Sequence, residues 1–347
     1  MSLFVDIRKT FPDFKLSVQM EGGQEVLALL GASGCGKSLL LKCIAGIEKP
    51  DEGLIIINGE TVFDGAARIN VPPQNRHVGF LFQNYALFPN MTLWNNISCV
   101  IKKQKADKEQ IVADIIRTFQ LESVKDLYPS QVSGGQQQRA ALARILVSNP
   151  RILMLDEPFS ALDSHLKWNM EQEVMSVLAA FNGTTIFVSH DRDEAYRVSD
   201  KIAVMNNGKI EITDSKENIF DAPKTLAAAK ITGCHNISRA EKAGDGLLRA
   251  IDWDIVLQTP LAANNIKHVA IRAHHFTTGK AESNDNSYPC RVHRIVDEPF
   301  EKMIIFSFAT GNGAAELHYK LPKSEWNGEL TREFVISLPN DKIMYLE

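Results

Sequence analysis

Apolar residues fall along this chain in two rhythms. From residue 3 to 30 they form strand-like runs. Phe4-Val5-Asp6-Ile7-Arg8 alternates, Phe14 to Met20 continues that sheet, and Val26 to Leu30 is apolar throughout. Alternation buries one face of a strand, and a short unbroken apolar run fits a strand buried on both faces. Leu54 to Ile57, Asn58-Gly59 and Thr61 to Phe63 read as a hairpin, and Val78 to Phe82 as another buried strand ending at Gln83. Between about 90 and 150 the rhythm becomes helical. Thr92 stands where it caps a helix running through Asn96-Ile97, and Ile111, Ile115 and Phe119 recur on one face of Lys108 to Gln120. Ser133 is placed to cap a helix from Gly134 to Ser148, closed by Asn149-Pro150. Strand runs return at Ile152 to Leu155 and Thr184 to Ser189, with a helix from about His165 to Phe181 between them. Ile202 to Met205, Asn207-Gly208 and Lys209 to Thr213 form a second hairpin, and 216–230 reads as helix broken at Pro223. After Gly233 only short strands recur: Val269 to Arg272, Tyr288 to Val296, Met303 to Phe308, Glu316 to Lys320 and Phe334 to Leu338. The prediction is an α/β domain over 1–230 with a helical insert near 90–150, then a small all-β barrel over 231–347.

One junction carries chemistry. Gly31-Ala32-Ser33-Gly34-Cys35-Gly36-Lys37-Ser38 lies between the apolar strand at Val26 to Leu30 and the helix beginning near Leu39. It matches the phosphate-loop pattern G-x-x-x-x-G-K-[ST] in the context that pattern requires. Glycines let successive N–H groups turn toward one anion, and the helix start adds free donors and the positive dipole end. Lys37 is placed to reach the β- and γ-phosphates of a nucleoside triphosphate, and the Ser38 hydroxyl to bind Mg²⁺. Ile152 to Leu155 delivers Asp156-Glu157-Pro158 to its carboxyl end, the expected position of a metal-site acid beside such a loop. Asp156 is read as the Mg²⁺ acid and Glu157 as the carboxylate that polarises the attacking water. His190 ends the next strand, within reach of a γ-phosphate, and Gln83 ends another, within reach of the metal or its water. Glycines in a first helical turn cost about 1 kcal/mol each against alanine, so Ser133-Gly134-Gly135-Gln136 points to a ligand rather than to packing. It is a second helix-start anion site. Phe11 and Phe14 lie about two dozen residues before Lys37, where an aromatic ring either stacks on adenine or packs in the core; Phe11, beside Pro12-Asp13, is the better placed to stack.

Composition narrows the classes. In 347 residues, 44% hydrophobic and 23% charged, the balance is that of an ordinary globular protein with room for two or three domains. A formal charge of −4 gives no broad basic field for nucleic acid. No uncharged apolar run approaches the ~20 residues of a membrane-spanning helix, and no secretory pattern opens the chain. Cys35, Cys43, Cys99, Cys234 and Cys290 are scattered without a C-x-x-C pair, which fits reduced thiols rather than a disulfide frame or zinc site. The histidines after residue 233 show no metal-ligand spacing, and His274-His275 is expected to face two ways from a strand.

Taken in order, the phosphate loop, Gln83 in Phe82-Gln83-Asn84-Tyr85-Ala86-Leu87-Phe88-Pro89, Ser133-Gly134-Gly135-Gln136, Asp156-Glu157, Asp163 and His190 resemble the ATP-binding subunit of ABC transporters over 1 to about 230. The resemblance implies a head-to-tail homodimer in which each ATP lies between Gly31–Ser38, with Leu39, of one copy and Ser133–Gln136 of its mate. It implies that Gln83 senses the metal and signals to the transporter, that Asp163 couples the two sites, and that His190 contacts the γ-phosphate. Val132 stands where Leu usually precedes Ser-Gly-Gly, and Leu39 where Thr is usual, departures expected to change rate rather than abolish activity. The β module resembles the oligomer-binding-like (TOBE-like) extension of bacterial importer ATPases. Within that group, Thr232-Gly233-Cys234-His235-Asn236-Ile237-Ser238 and Ile271-Arg272-Ala273-His274-His275-Phe276 look most like the molybdate or sulfate type, with maltose, polyamine and iron importers as alternatives. Implied partners are two integral membrane permease subunits and, indirectly, a solute-binding protein, with the ATPase at the cytoplasmic face of the membrane. The competing class is a soluble regulatory protein whose β module binds a small solute, with ATP as an allosteric ligand.

Overall fold

The chain opens with β1 (Leu3–Phe11) and β2 (Phe14–Gly22), an antiparallel hairpin in register from Leu3↔Gly22 to Phe11↔Phe14. The computed structural model describes residues 2–101, 104–160, 164–259, 265–278, 286–309, 315–326 and 333–347. They form two units, Met1–Lys216 and Glu217–Glu347.

In the first unit follow β3 (Val26–Leu30), α1 (Lys37–Ala45), β4 (Glu52–Ile57), β5 (Glu60–Asp64), β6 (Ile69–Asn70) and β7 (Val78–Leu81). Then come α2 (Leu93–Ser98), α3 (Lys105–Thr118) and α4 (Gly134–Leu146), the helical insert expected from the change of rhythm. The unit closes with β8 (Ile152–Asp156), α5 (Ser164–Ala180), β9 (Thr184–Ser189), α6 (Arg192–Val198), β10 (Lys201–Asn206) and β11 (Lys209–Ser215). An antiparallel sheet, β2-β1-β4-β5-β6, lies against a largely parallel one, β11-β10-β3-β9-β8-β7. Leu3, Val5, Ile7, Leu16 and Val18 of the first sheet share one core with Leu40, Leu41 and Ile44 of α1 and with Ile152, Met154, Ile186 and Val188 of the second. α1 is thus held between two sheets. The asparagines of both Asn-Gly turns are left-handed, Asn58 at φ 48° and Asn207 at φ 45°, as such hairpins require.

The boundary falls one residue into α7 (Lys216–Asp221), which α8 (Leu226–Ile231) follows, with Pro223 in the break between them. Among its described residues ten strands follow: β12 (Asn236–Gly244), β13 (Leu247–Ala250), β14 (Ile255–Gln258), β15 (His268–Ile271), β16 (Thr277–Thr278), β17 (Asn286–Asp297), β18 (Glu301–Phe308), β19 (Leu317–Pro322), β20 (Glu333–Leu338) and β21 (Met344–Leu346). They make two antiparallel sheets, β14-β13-β12-β15-β21 and β16-β20-β17-β18-β19. Leu248, Val269, Cys290, Phe306, Tyr319 and Ile336 meet in one core between them. The β-rich, OB-like reading holds. His274-His275 is a correction: the strand ends at Ile271, His275 N–H donates to the Arg272 carbonyl at 3.0 Å, and the pair occupies that turn with its rings 4.3 Å apart.

One polar side chain in the first unit's core is unusual. Arg76 is 1% exposed, and its partners are neutral oxygens. Nη1 donates to the carbonyls of Cys43 and Ile44 at 2.9 and 2.8 Å, Nε to the Val71 carbonyl at 2.7 Å, and Nη2 to Asn70 Oδ1 at 2.9 Å. Burial lowers its pKa. The compensating charge is the negative dipole end of α1, whose last-turn carbonyls it caps. Arg76 thereby fixes the far end of the helix that begins at Lys37. Arg76→Ala leaves several buried carbonyls unpaired and is expected to cost about 3 kcal/mol in urea unfolding; unchanged stability would contradict this role.

Candidate functional site

Parallel pairing decides which residues meet. Leu30 aligns with Ser189 between β3 and β9, and Asp156 with Val188 between β8 and β9. The carboxyl ends of the three central strands are therefore level. From β3 the chain enters the loop 31–36, from β8 it delivers Asp156 and Glu157, and from β9 it delivers His190.

Within the loop, Gly34 (φ 79°) and Gly36 (φ 105°) take left-handed conformations open to glycine at little cost. Lys37 is 5% exposed. Its Nζ donates to the carbonyls of Gly31 and Ala32 at 2.8 and 3.1 Å and lies 3.9 Å from the Cys35 sulfur. Gly208 N–H donates to the Cys35 carbonyl at 3.0 Å, so the second Asn-Gly hairpin supports the loop. Ala32, Ser33 and Gly34 remain exposed, while Leu39 packs on the core behind them.

Ser38 Oγ donates to Asp156 Oδ1 at 2.9 Å. A hydroxyl and a carboxylate in contact, both hard oxygen donors, suit Mg²⁺. Asp156 is 8% exposed, and burial is the main cause of its raised pKa; the Ser38 hydrogen bond works against it, as do the more distant Lys42 and Lys37, and the neighbouring Glu157 charge adds to it. A carboxylate whose charged form is disfavoured in this way is one that a cation relieves.

Glu157 is left-handed, φ 48°, at a cost of about 1–2 kcal/mol for a residue with a Cβ. Its N–H still donates to the Val188 carbonyl at 3.1 Å, and its carbonyl accepts from Ser160 N–H at 3.2 Å in the turn that follows. Glu157 Oε2 lies 3.2 Å from His190 Nδ1. His190 is set by the turn into α6: Asp191 accepts from the N–H groups of Asp193 and Glu194, and Lys167 pairs with both Asp191 (2.8 Å) and Glu194 (2.5 Å). Gln83 Nε2 donates to Ser160 Oγ at 3.2 Å, and Ser160 Oγ donates to the Glu157 carbonyl at 3.0 Å. The structure thus joins Lys37, Ser38, Asp156, Glu157, His190 and Gln83 at one edge of the sheet. Ser160, a link between Gln83 and Glu157, was not among the sequence-predicted residues; its place three residues after Glu157 was the available signal.

Ser133 and Gln136 bond to each other. Ser133 Oγ accepts from Gln136 N–H at 3.3 Å, and Gln136 Oε1 accepts from Ser133 N–H at 3.0 Å. This reciprocal box caps α4 and leaves the N–H groups of Gly134 and Gly135 facing outward without bulky side chains. Phe11 ends β1 and is 38% exposed, with the Lys9 ammonium 5.4 Å from its ring. Phe14 packs into the core below Gly36, where a Cβ would come within 2.8 Å of its ring. Of the two aromatics, Phe11 is the one left open. Asp163 lies outside the described residues.

The profile of the family described as "ABC transporter" matches residues 14–160. A spermidine/putrescine import ATP-binding protein PotA of Haemophilus influenzae is 35% identical over 305 residues, 85% of this chain and 79% of the relative. The chain belongs to the ABC transporter ATP-binding family. A PotA of Nitratidesulfovibrio vulgaris is 42% identical over 255 residues, covering 71% of this chain and 67% of that protein. An Fe(3+) ions import ATP-binding protein FbpC of Haemophilus influenzae is 34% identical over 287 residues, 82% and 80% of the two chains. Among solved structures, a dimeric ATP-binding cassette in a post-hydrolysis state bound to ADP and Pi superposes with TM-score 0.53 and 26% identity, covering 62% of this chain and 99% of that one. This ABC subunit is an importer-type ATPase that uses ATP and Mg²⁺. Among its described residues, no helix is long and apolar enough to cross a membrane.

The buried Asp156 carboxylate yields a stability prediction. A folded pKa above the unfolded one means the native state holds more protons, so this group lowers stability as pH rises past the ordinary carboxylate range. Asp156→Asn is therefore expected to raise the unfolding midpoint of the nucleotide-free protein at pH 8, by a margin that shrinks toward pH 4. Thermal melts at both pH values measure it, and a midpoint lowered at pH 8 would contradict the assignment.

Proposed function

We propose that this chain energises solute import by trapping ATP between two copies of itself, each site pairing the phosphate loop of one copy with the Ser133 helix start of the other. The observation that carries the reading is the arrangement of two anion-ready helix starts in one chain, of which the loop side holds the acidic groups and the α4 side holds none of them. In this reading Gly31, Ala32, Ser33, Gly34, Cys35, Gly36, Lys37, Ser38 and Leu39 bind the triphosphate, and Phe11 stacks on adenine. Ser133, Gly134, Gly135 and Gln136 reach the γ-phosphate from the mate, and Asp163 is assigned the coupling of the two sites that the family resemblance implies. Ser38, Asp156 and Gln83 hold Mg²⁺, which when bound offsets charge on the β- and γ-phosphates.

Glu157 orients a water in line with the γ-phosphorus. As the water oxygen forms its bond there, Glu157 takes the proton and the bond to the β-bridging oxygen breaks, giving ADP and phosphate. The 3.2 Å contact with His190 Nδ1 holds the Glu157 carboxylate on that side. Lys37, held in the loop by the Gly31 and Ala32 carbonyls, turns from them to the β- and γ-oxygens when the triphosphate binds. Gln83, tied through Ser160 to the Glu157 turn, passes the state of the site to the loop 84–89, which faces the permeases.

The ATP domain is assigned to 1–230 and a regulatory β domain to 231–347, with the protein peripheral at the cytoplasmic face of the membrane. A solute-binding protein delivers the cargo to the permeases. For that cargo, the names of the relatives favour a cation, a polyamine or ferric iron, over the molybdate or sulfate suggested by the junction sequences. ATP turnover of the assembled transporter with each candidate solute and its binding protein separates them. Glu157→Gln is expected to keep ATP binding and slow hydrolysis by about 10²-fold or more, and Lys37→Ala to lose nucleotide affinity in equilibrium binding. Near-normal turnover in the Glu157 variant would sink the proposed base.

A further inference from the structure

The loop from Gln83 to Pro89 is held by side chains from two different helices. Tyr85 (φ 59°) and Ala86 (φ 46°) are consecutive left-handed residues, a conformation that persists only where the surroundings impose it. Arg144, in the last turn of α4, supplies that constraint. Its Nη1 donates to the Ala86 carbonyl at 2.8 Å, its Nη2 donates to the Tyr85 carbonyl at 3.1 Å, and its guanidinium lies 5.5 Å from the centre of the Phe88 ring. Gln138, also on α4 and fully buried, accepts from the Tyr85 hydroxyl at 3.5 Å. The downstream half belongs to α2: Asn96 accepts from Phe88 N–H at 2.8 Å and donates to the carbonyls of Phe88, Met91 and Thr92, each at 3.1 Å. Arg144 touches that system more weakly, through its approach to the Phe88 ring and a 3.5 Å contact with Asn96 Oδ1.

The upstream half of the loop therefore rides on α4, and α4 begins at the Ser133 box. From Gly134 to Arg144 the helix spans about 15 Å at 1.5 Å per residue, three rigid turns closed by backbone hydrogen bonds. A displacement at its start reaches its last turn with little loss. A fork of two N–H groups gripping two successive carbonyls then hands that displacement to the loop with a defined direction, which a single-point contact does not.

We propose that Arg144 is a positioning residue that converts movement of the Ser133–Gln136 helix start into movement of the Tyr85–Phe88 segment. This rests on the reading that nucleotide closes onto Ser133 of a mate and that the loop faces the permeases. It adds a second route into the loop, through α4, beside the one that Gln83 makes through Ser160.

Hydrogen exchange followed by mass spectrometry on the full-length protein, with and without Mg²⁺ and a non-hydrolysable ATP analogue, tests it. In the parent, peptides over 133–137 and 84–89 are expected to gain protection together. Arg144→Met should keep the response at 133–137, exchange about tenfold faster over 84–89, and show no nucleotide response there. Arg144→Lys, which keeps the charge without the fork, should fall between them and covers the case in which the Met variant folds poorly. Asn96→Ala should loosen 88–92 yet leave the nucleotide response of 84–86 intact. Loss of that response in the Asn96 variant to the same degree as in the Arg144 variants would reduce Arg144 to a packing role and overturn the proposal. An Arg144→Met loop that still responds like the parent overturns it as well. A parent in which 133–137 responds and 84–89 does not overturns the proposal alone; a parent in which neither responds overturns the shared-site reading with it.

Discussion

Three parallel strands that end level are the constraint behind this site. Because Leu30 pairs opposite Ser189 and Asp156 opposite Val188, the chain leaves β3, β8 and β9 at one edge and at one height. A slip of one residue between β8 and β9 would turn Asp156 away from Ser38 and carry Glu157 away from His190. The register is protected by packing: Ile152 to Asp156 and Thr184 to Ser189 are buried at every position, so a shifted pairing would misfit side chains packed on both faces of the sheet. Chemistry at the edge thus depends on packing within the sheet, and α1, clamped at its far end by Arg76, keeps the phosphate loop in place against it.

The helical insert stands in a different relation to that edge. Its contact with nucleotide is proposed to come from a second copy, through a helix start already satisfied within itself by the Ser133–Gln136 box. A self-capped start is suited to this, since it keeps its shape with or without a ligand and leaves glycine N–H groups free to face one. At the other end of the same helix, Arg144 and Gln138 hold the loop that follows Gln83. One element therefore touches both the proposed interface and the loop proposed to face the permeases, so that closing the one and moving the other become a single mechanical event.

What could be read from the chain follows from how local each signal is. The phosphate loop, the Asn-Gly turns, the Thr92 and Ser133 caps and the strand ending in Asp156 each rest on a few adjacent residues whose conformational preferences decide the outcome. Arg76 and Arg144 were not legible because their partners are main-chain carbonyls far away in sequence, such as Cys43 and Ala86, and no residue type at those positions announces the contact. Asn96 was read as an ordinary helical residue, yet it is fully buried and closes the loop at Phe88. In the second unit, β13 and β14 are four residues each and carry Arg249 and Gln258 among their apolar positions, so their alternation is too short to stand out. The His274-His275 error has the same origin: the apolar run before it continues as a pattern, but the chain turns at Arg272.

The proposal that nucleotide is shared between two copies is tested most directly by mixing two defective chains. Lys37→Ala and Ser133→Arg homodimers should each be inactive. In the heterodimer both lesions fall in one site, and the other site has an intact Lys37 from one chain and an intact Ser133 from its mate. The account predicts that co-refolded or co-expressed mixtures hydrolyse ATP well above the sum of the two parents. If each chain instead completes its own site, every site in the mixture carries a lesion, and activity no greater than that sum would contradict the account.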